Sequence, residues 1–302
     1  MASTKKKRTT AKPKQAQTSV AKSAEITAAK APAKTSDQAV ATQTDKAKAP
    51  LFDLHQWNAW LAWIHAAQGV AILLFSASRL LPLSTTYLTP NPLVSGSVSL
   101  VPATHHVLDI NLAWLVAIFF FISAIAHGVI ASVYRNRYEA DLARGINRVR
   151  WIEYGLSASV MLVAIGVLSG VYDVSTLILI FVLSLIMNLL GSAMETYNQG
   201  KPEPNWLAYG IGCIAGIAPW IVIAIYLVGA NVYGSGHIPG FVYWIYGSMF
   251  LFFNCFAVNM YLQYKRKGKW ADYMYGERVY MLLSLVAKTL LAWQVFAGIL
   301  RP

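Results

Sequence analysis

Long apolar runs alternate with short polar connections along most of the chain. A bilayer core about 30 Å thick requires roughly 20 mostly apolar residues per helix. Seven runs meet this length, and they predict spans near 54–81, 109–134, 145–171, 174–197, 205–229, 238–264 and 274–300. The pattern therefore predicts an all-α membrane protein, a bundle of seven transmembrane helices.

The connection between the first and second spans is longer than the others. Residues 82–108 contain the run TPNPLVSGSVSLVP, in which Thr and Val lie on both sides of a Ser-Gly pair. Turn-forming residues between β-branched residues are typical of a hairpin. We predict a small β-hairpin at the membrane surface.

The first 50 residues differ in composition from the rest of the chain. They hold eleven Lys or Arg against three acidic residues, which is +8 of the net charge of +12. With almost no large apolar side chains, this segment cannot offset the entropy of ordering. We predict a disordered basic tail over 1–50 and a membrane domain over 51–302. The tail could contact anionic lipid or nucleic acid, but a topology signal and solvated linker is favoured, so no nucleic-acid partner is expected.

The loop charges predict the orientation in the membrane, because Lys and Arg of short loops collect on the cytoplasmic side. The connections after the second, fourth and sixth spans, with the residues flanking them, carry most of these cations. They are Arg135, Arg137, Arg144, Arg148, Arg150, Lys201, Lys265, Arg266, Lys267, Lys269 and Arg278. The opposite side has only Arg79 and Arg301. Seven crossings then predict a cytoplasmic N-terminus and an extracellular C-terminus in the cell membrane.

Two ionisable residues stand out inside the apolar runs. Lys288 lies about 14 residues, or roughly 20 Å, into the seventh span. A lysine at that depth either loses its proton or becomes a paired, delocalised cation, such as a protonated Schiff base with an aldehyde. Glu153, in the third span, is the only carboxylate that we place well inside a span, so we predict a pair with Lys288. Two alternatives stay open: a purely structural ion pair, and a Glu153 held by Arg148 or Arg150.

Other polar and aromatic residues suggest a site around this pair. His65, Gln68 and His127 lie within the first two spans and indicate a polar cavity, although buried histidines are as often packing residues. Ser284 precedes Lys288 by one helical turn and could hydrogen-bond a Schiff base. Candidate walls for a flat conjugated ligand are Trp151, Met187, Phe253 and Trp293. The two cysteines have no metal-site spacing, and no nucleophile and base pair is evident, so neither a metal nor an enzyme is expected.

Several motifs resemble the heliorhodopsins, and the resemblance covers all seven spans. They are HAAQG in the first span, WIEYGLSASVM in the third, LFFNCFAVNMYLQYK and GKWADY in and after the sixth, and SLVAKTLLAWQVFAG in the seventh. The resemblance implies all-trans retinal on Lys288, Glu153 as counterion and Ser284 beside the Schiff base. It also implies a cytoplasmic-side cavity lined by His65, Gln68 and His127, an inverted topology, a small sheet within 82–108 and a homodimer. The long basic tail departs from the family's usual short N-terminus.

These observations predict a light sensor. Pumping requires a relay of carboxylates that reaches both surfaces, and we identify only Glu153 within the spans. The alternative is a light-gated proton channel or transporter, since some members of the family that the sequence resembles conduct protons. A membrane protein with a purely structural or partner-binding role is a third possibility. An unknown cytoplasmic signalling partner could dock on the tail or on residues 135–150.

Overall fold

The computed structural model describes residues 36–91 and 99–302, with side chains described from residue 54 onward. Eight α-helices are present in this part of the chain. They are α1 (Ser36–Phe75), α2 (Leu112–Ala131), α3 (Arg135–Ala143), α4 (Arg148–Leu168), α5 (Val174–Tyr197), α6 (Leu207–Tyr233), α7 (Gly240–Tyr264) and α8 (Tyr273–Val295). A short π-helical turn, Phe296–Leu300, continues α8.

Seven of these helices are long and apolar enough to cross a membrane. They correspond to the seven predicted spans, so the prediction of a seven-helix transmembrane bundle is confirmed. The exception is α3, a polar helix of nine residues between α2 and α4 that the hydrophobic pattern did not predict. Its low hydropathy and short length explain why a search for apolar runs passes over it.

The predicted tail lies partly outside the described residues. The prediction of disorder for residues 1–35 therefore stays a prediction. From Ser36 onward the structure assigns α-helix, so the boundary at residue 50 falls within α1. The Ala, Lys and Gln residues of this stretch have high helix propensity, which a composition test for disorder does not weigh.

Polar side chains cap the N-termini of several membrane helices. Asn111 accepts a hydrogen bond from the backbone N–H of Ala113 at the start of α2, and Asn147 accepts one from the N–H of Arg150 at the start of α4. Asp173 and Asp272 cap α5 and α8 in the same way. A side-chain oxygen at this position satisfies an N–H group that has no partner within the helix.

The predicted hairpin is present. Strand β1 (Leu80–Pro90) pairs antiparallel with β2 (Leu100–Asn111), and a bulge lies between Leu83 and Ser84. The Ser84 N–H donates to the Tyr172 carbonyl at 2.9 Å, which fastens the hairpin to the connection before α5. The strands extend beyond the predicted segment at both ends, because β1 begins at Leu80 and β2 continues to the start of α2.

The bundle core differs between its two ends. At the ends of α2, α4 and α8 remote from the basic loops, the interior contains large apolar side chains. Among them are Val116, Phe119, Leu162, Ile165, Leu291 and Val295. Toward the basic loops the interior instead includes charged side chains, namely those of Arg150, Glu153, Glu195 and Glu277. Lys288 lies between the two regions, about two thirds of the way along α8.

Candidate functional site

The structure brings Lys288 and Glu153 together in the middle of the bundle. Lys288 Nζ lies 3.0 Å from Glu153 Oε1, and the two residues are 3% and 4% exposed. Lys288 Nζ also donates a hydrogen bond to Ser284 Oγ at 2.5 Å. Two buried, oppositely charged groups with additional hydrogen bonds compensate each other's loss of hydration.

Glu153 is held in place by two serines. Its Oε1 atom accepts hydrogen bonds from Ser123 Oγ at 2.5 Å and from Ser157 Oγ at 2.9 Å. Ser157 lies one turn after Glu153 on α4, just as Ser284 lies one turn before Lys288 on α8, so helical spacing places each serine beside its charged residue. Lys288 Nζ also lies 5.2 Å from the centre of the Tyr154 ring. An aromatic face at this distance stabilises a cation.

Two adjoining cavities lie next to the ion pair. One, of about 50 Å³, is bordered by Lys288 and Ser284, and the other, of about 90 Å³, is bordered by Trp151. The walls that they share are Tyr154, Met187, Asn188, Phe253 and Phe256. Three aromatic rings and one flexible methionine around a single amine fit a flat, apolar aldehyde. Because these volumes are small, Met187 and Phe253 are the side chains that a ligand would have to displace.

Three of the four predicted wall residues border these cavities, and Trp293 does not. Trp293 is 39% exposed and packs against Phe296, with 5.4 Å between the ring centres. It follows Lys288 by five residues, which turns it about 140° around the helix and away from the bundle interior. A further tryptophan, Trp220, is buried and contacts the cavity wall residue Phe253, with 5.4 Å between the ring centres.

The predicted polar residues of α1 and α2 lie close together. The imidazole rings of His65 and His127 stack with 5.6 Å between centres, and His127 Nδ1 shares a hydrogen bond with Asn58 Oδ1 at 2.7 Å. Both ring nitrogens of His65, His127 Nε2 and Gln68 Oε1 are buried without a protein partner. Buried polar atoms of this kind are usually satisfied by ordered water. The arrangement supports the polar, hydrated cavity that the sequence indicated.

A small cavity joins this region to the counterion. It has a volume of about 20 Å³, and its walls include His127, Glu153, Arg150 and Tyr138. Burial raises the pKa of the Tyr138 phenol, which is therefore a neutral hydroxyl at ordinary pH. A volume of this size holds about one water molecule.

Sequence reasoning missed a buried charge cluster one turn from Glu153. Arg150, which the charge pattern along the chain groups with the loop cations, forms ion pairs with Glu195 and Glu277. Its guanidinium carbon lies 4.1 Å from the ring centre of Tyr280 and 4.6 Å from that of Trp151. We call Arg150, Glu195 and Glu277 the Arg150 cluster. With Arg150 engaged here, the alternative that it holds Glu153 is not what the structure shows.

Neutral donors complete the Arg150 cluster. Asn147 donates to Glu277 through Nδ2 at 2.7 Å and to Glu195 through its backbone N–H at 2.9 Å. Trp151 Nε1 and the Tyr273 hydroxyl also donate to Glu195, at 2.7 and 3.2 Å. Glu195 and Glu277 both fall within predicted spans, so a count of carboxylates at the span ends would have found them.

The sequence matches the family model for heliorhodopsins over residues 54–300. This range includes every residue of the site. A search of curated proteins returned no match.

Proposed function

Because the chain belongs to the heliorhodopsin family, we propose that it is a light sensor carrying all-trans retinal on Lys288. Family membership makes it a rhodopsin-type, light-responsive, multi-pass membrane protein and implies a retinal chromophore. The observation that supports the attachment site is the buried Lys288–Glu153 pair, with 3.0 Å between Nζ and Oε1. When bound, retinal supplies the absorption of visible light and an isomerisation, and its link to the lysine is a protonated Schiff base.

The residues around Lys288 define the dark-state electrostatics. Glu153 supplies the negative charge that keeps the nitrogen of Lys288 protonated, and Ser284 fixes the direction of that nitrogen. Ser123 and Ser157 hold the carboxylate through the same oxygen that contacts Lys288. If the cation moves, Glu153 remains fixed by two donors. Charge separation then changes the local field without requiring the carboxylate to move first.

The charge change has a route to one surface of the protein. This surface, which we call the basic face, contains the loops with Arg144, Lys201 and Arg266. Arg150 lies one turn before Glu153 on α4 and contacts α5 and α8 through Glu195 and Glu277. A change in the field at Glu153 therefore acts on a charged group that joins three helices. Local electrostatic changes of this kind can bias a packed element between two arrangements. The proposed signal is a rearrangement at the ends of α4, α5 and α8.

The charge pattern of the loops supports a cytoplasmic N-terminus. It assigns the basic face, with the Arg150 cluster beneath it, to the cytoplasmic side. A signal delivered there could reach a soluble partner. The homodimer stays a prediction of the family resemblance, and the cytoplasmic partner stays a prediction from the basic tail and residues 135–150.

The apolar end of the bundle favours sensing over ion pumping. Buried side chains between Lys288 and that surface include Phe119, Ile165, Leu291 and Val295, none of which carries a proton. The runner-up, a light-gated proton channel, is favoured by the small cavity that links Glu153 to Arg150. Light-driven pH changes in protein-loaded vesicles distinguish the two: a sensor gives none, and a channel dissipates an imposed pH gradient on illumination.

The main test is the absorption spectrum of the protein expressed with all-trans retinal. We expect a visible band in the wild type and none in Lys288→Ala or Lys288→Arg. The arginine variant is the matched control, because it keeps a cation beside Glu153 but cannot form the Schiff base. A visible band that survives both substitutions would place the chromophore elsewhere.

Glu153→Gln tests the counterion. Removing a negative charge from beside the cation favours the deprotonated nitrogen, so the visible band should give way to near-ultraviolet absorption at a lower pH than in the wild type. Glu139→Gln is the control, because Glu139 pairs with Arg135 on the short helix α3 and its side chain is 32% exposed. Equal pH profiles for wild type and Glu153→Gln would remove Glu153 from this role.

A further inference from the structure

A polar groove of about 460 Å³ opens on the basic face between the ends of α4, α5, α7 and α8. Its volume is within the range of small-molecule sites, about 300 to 1,000 Å³. None of the residues that border the proposed retinal site beside Lys288 lines this groove. Its rim carries three cations, Arg144, Lys201 and Arg266, and its floor includes Glu195 and Tyr273.

The positive charges of the rim are not fully neutralised by carboxylates of the described residues. Within the part of the chain that the structure describes, the side chains of Lys201 and Arg266 form no hydrogen bond or ion pair. Arg144 pairs with Asp141 and remains 54% exposed. Among the described residues that line the groove, Glu195 is the single carboxylate, and Arg150 already neutralises it from beneath. The groove is therefore positively charged.

The backbone conformation at one of these cations, Arg266, is unusual. Arg266 has a φ of +50°, and it is the single non-glycine residue with positive φ among those described. It ends α7 in a Schellman motif, in which its N–H donates to the Gln263 carbonyl and the Lys267 N–H donates to the Leu262 carbonyl. Glycine is the usual residue at this position, so an arginine there carries a conformational cost. Its charge is what a glycine would lack.

From this geometry we propose that the groove binds a phosphate-bearing ligand. Arginine matches the geometry of phosphate oxygens with paired donors, and three separate cations suit an anion with more than one charge. Trp270, partly exposed at the groove wall, offers a planar surface beside them. The phosphate can belong to a soluble molecule or to a lipid headgroup, since the groove lies where the helices leave the membrane.

The groove is connected to the Arg150 cluster. The Tyr273 hydroxyl lines the groove and donates to Glu195, which in turn pairs with Arg150. A ligand that displaces Tyr273 changes the donors around Glu195, whose partner Arg150 borders the same small cavity as Glu153. Binding and light response are then coupled, and the coupling must act in both directions. This coupling, unlike the binding itself, rests on the proposed function.

The binding test uses the full-length protein in nanodiscs of zwitterionic lipid, titrated with tripolyphosphate by calorimetry. We expect saturable binding, weakened about tenfold by Lys201→Gln and by Arg266→Gly, since each loses a charge-assisted hydrogen bond. Glycine suits the positive φ at 266, so Arg266→Gly should not unfold the protein. Arg137→Gln is the matched control: Arg137 is exposed on the same face and does not line the groove.

A second set of nanodiscs, containing phosphatidic acid, identifies the source of the phosphate. The negative charge of these discs weakens tripolyphosphate binding to every variant. If a lipid headgroup occupies the groove, the weakening is greater in the wild type than in Arg266→Gly. If the ligand is soluble, both proteins are weakened by the same factor. Either result supports the site. Absence of saturable binding in both kinds of disc, or an equal loss in Arg137→Gln, overturns it.

Repeating the titration with Lys288→Ala keeps the two proposals separate. The groove should bind tripolyphosphate equally well in this variant, because Lys288 does not line it. In the retinal-bound wild type, the same titration should change the photocycle rate, and Arg266→Gly should remove that change. Binding without any change in the photocycle would leave the site in place and refute the coupling alone.

Discussion

The two ends of this bundle are stabilised by different means. Toward the basic loops, the interior contains Arg150, Glu195 and Glu277, which are 5%, 2% and 1% exposed. At the other end it contains side chains such as Phe119 and Leu291, both fully buried. An apolar core depends on filled volume, whereas a buried charged network depends on every member being present. The comparison teaches that the gain or loss of one proton or charge alters the interactions within the basic end, whereas the apolar end depends on packing alone.

The Lys288–Glu153 pair lies at the boundary between these ends. On one side Glu153 borders a small polar cavity shared with Arg150, and on the other side Leu291 follows Lys288 by one turn into the apolar core. A charge displaced at this boundary therefore has polarisable and charged neighbours in one direction only. This asymmetry is the reason why the proposed response is directed to the basic face.

The largest effect should come from Arg150→Met, which tests the charged end directly. Two carboxylates would remain buried without their cation, and removal of one partner from a buried ion pair costs about 3–5 kcal/mol. Equilibrium unfolding in mixed micelles measures this loss. Arg148→Met is the matched control, because Arg148 is exposed two residues earlier and should change stability by less than about 0.5 kcal/mol. Similar stabilities for the two variants would show that the network contributes no more than surface charge.

Sequence alone predicted the seven spans and the central ion pair for the same reason. Charged residues are rare in runs of about 20 apolar residues, so both the runs and their exceptions, Lys288 and Glu153, are conspicuous. The structure places their side chains 3.0 Å apart although 135 positions separate them in the chain. Charge balance was sufficient to predict this long-range contact.

The Arg150 cluster could not be predicted in the same way. Arg150, Glu195 and Glu277 each lie near the end of a span, where charged residues usually reach water. Only the packing of α4, α5 and α8 shows that these three ends converge and are buried. The orientation of Trp293 was missed for a related reason, since proximity to Lys288 in sequence does not specify the helix face.

A smaller effect should come from alanine at two helical glycines, one in each half of the bundle. A Cβ atom at Gly191 would overlap the Trp151 ring, which borders the proposed retinal site. Overpacking of this kind costs about 1–3 kcal/mol. At Gly166, in the apolar half, the nearest atoms would be 3.5 Å away, which is ordinary contact. Gly191→Ala should lower the unfolding free energy and shift the visible band, while Gly166→Ala should leave both nearly unchanged.

An unshifted band in Gly191→Ala, with stability equal to that of Gly166→Ala, would mean that Trp151 moves freely. The wall of the proposed site would then be less rigid than the buried Trp151–Glu195 hydrogen bond indicates.

The smallest effect on stability should come from alanine at two helix N-caps. Both caps are asparagines, but they lie at opposite ends of the bundle. Asn111 caps α2 at the apolar end, and Asn147 caps α4 at the charged end. Loss of a cap costs about 1 kcal/mol. We expect about this loss for Asn111→Ala, because the other hydrogen bond of Asn111, to Ser78 Oγ, is exposed to solvent. Asn147→Ala also removes a donor from buried Glu277, so its cost should be greater by about 1 kcal/mol. In the Arg150→Met background Glu277 has already lost its cation and depends more on Asn147, so the two substitutions should not be additive. Additive losses would show that the cap and the charged network are independent, and that the basic end does not act as one unit.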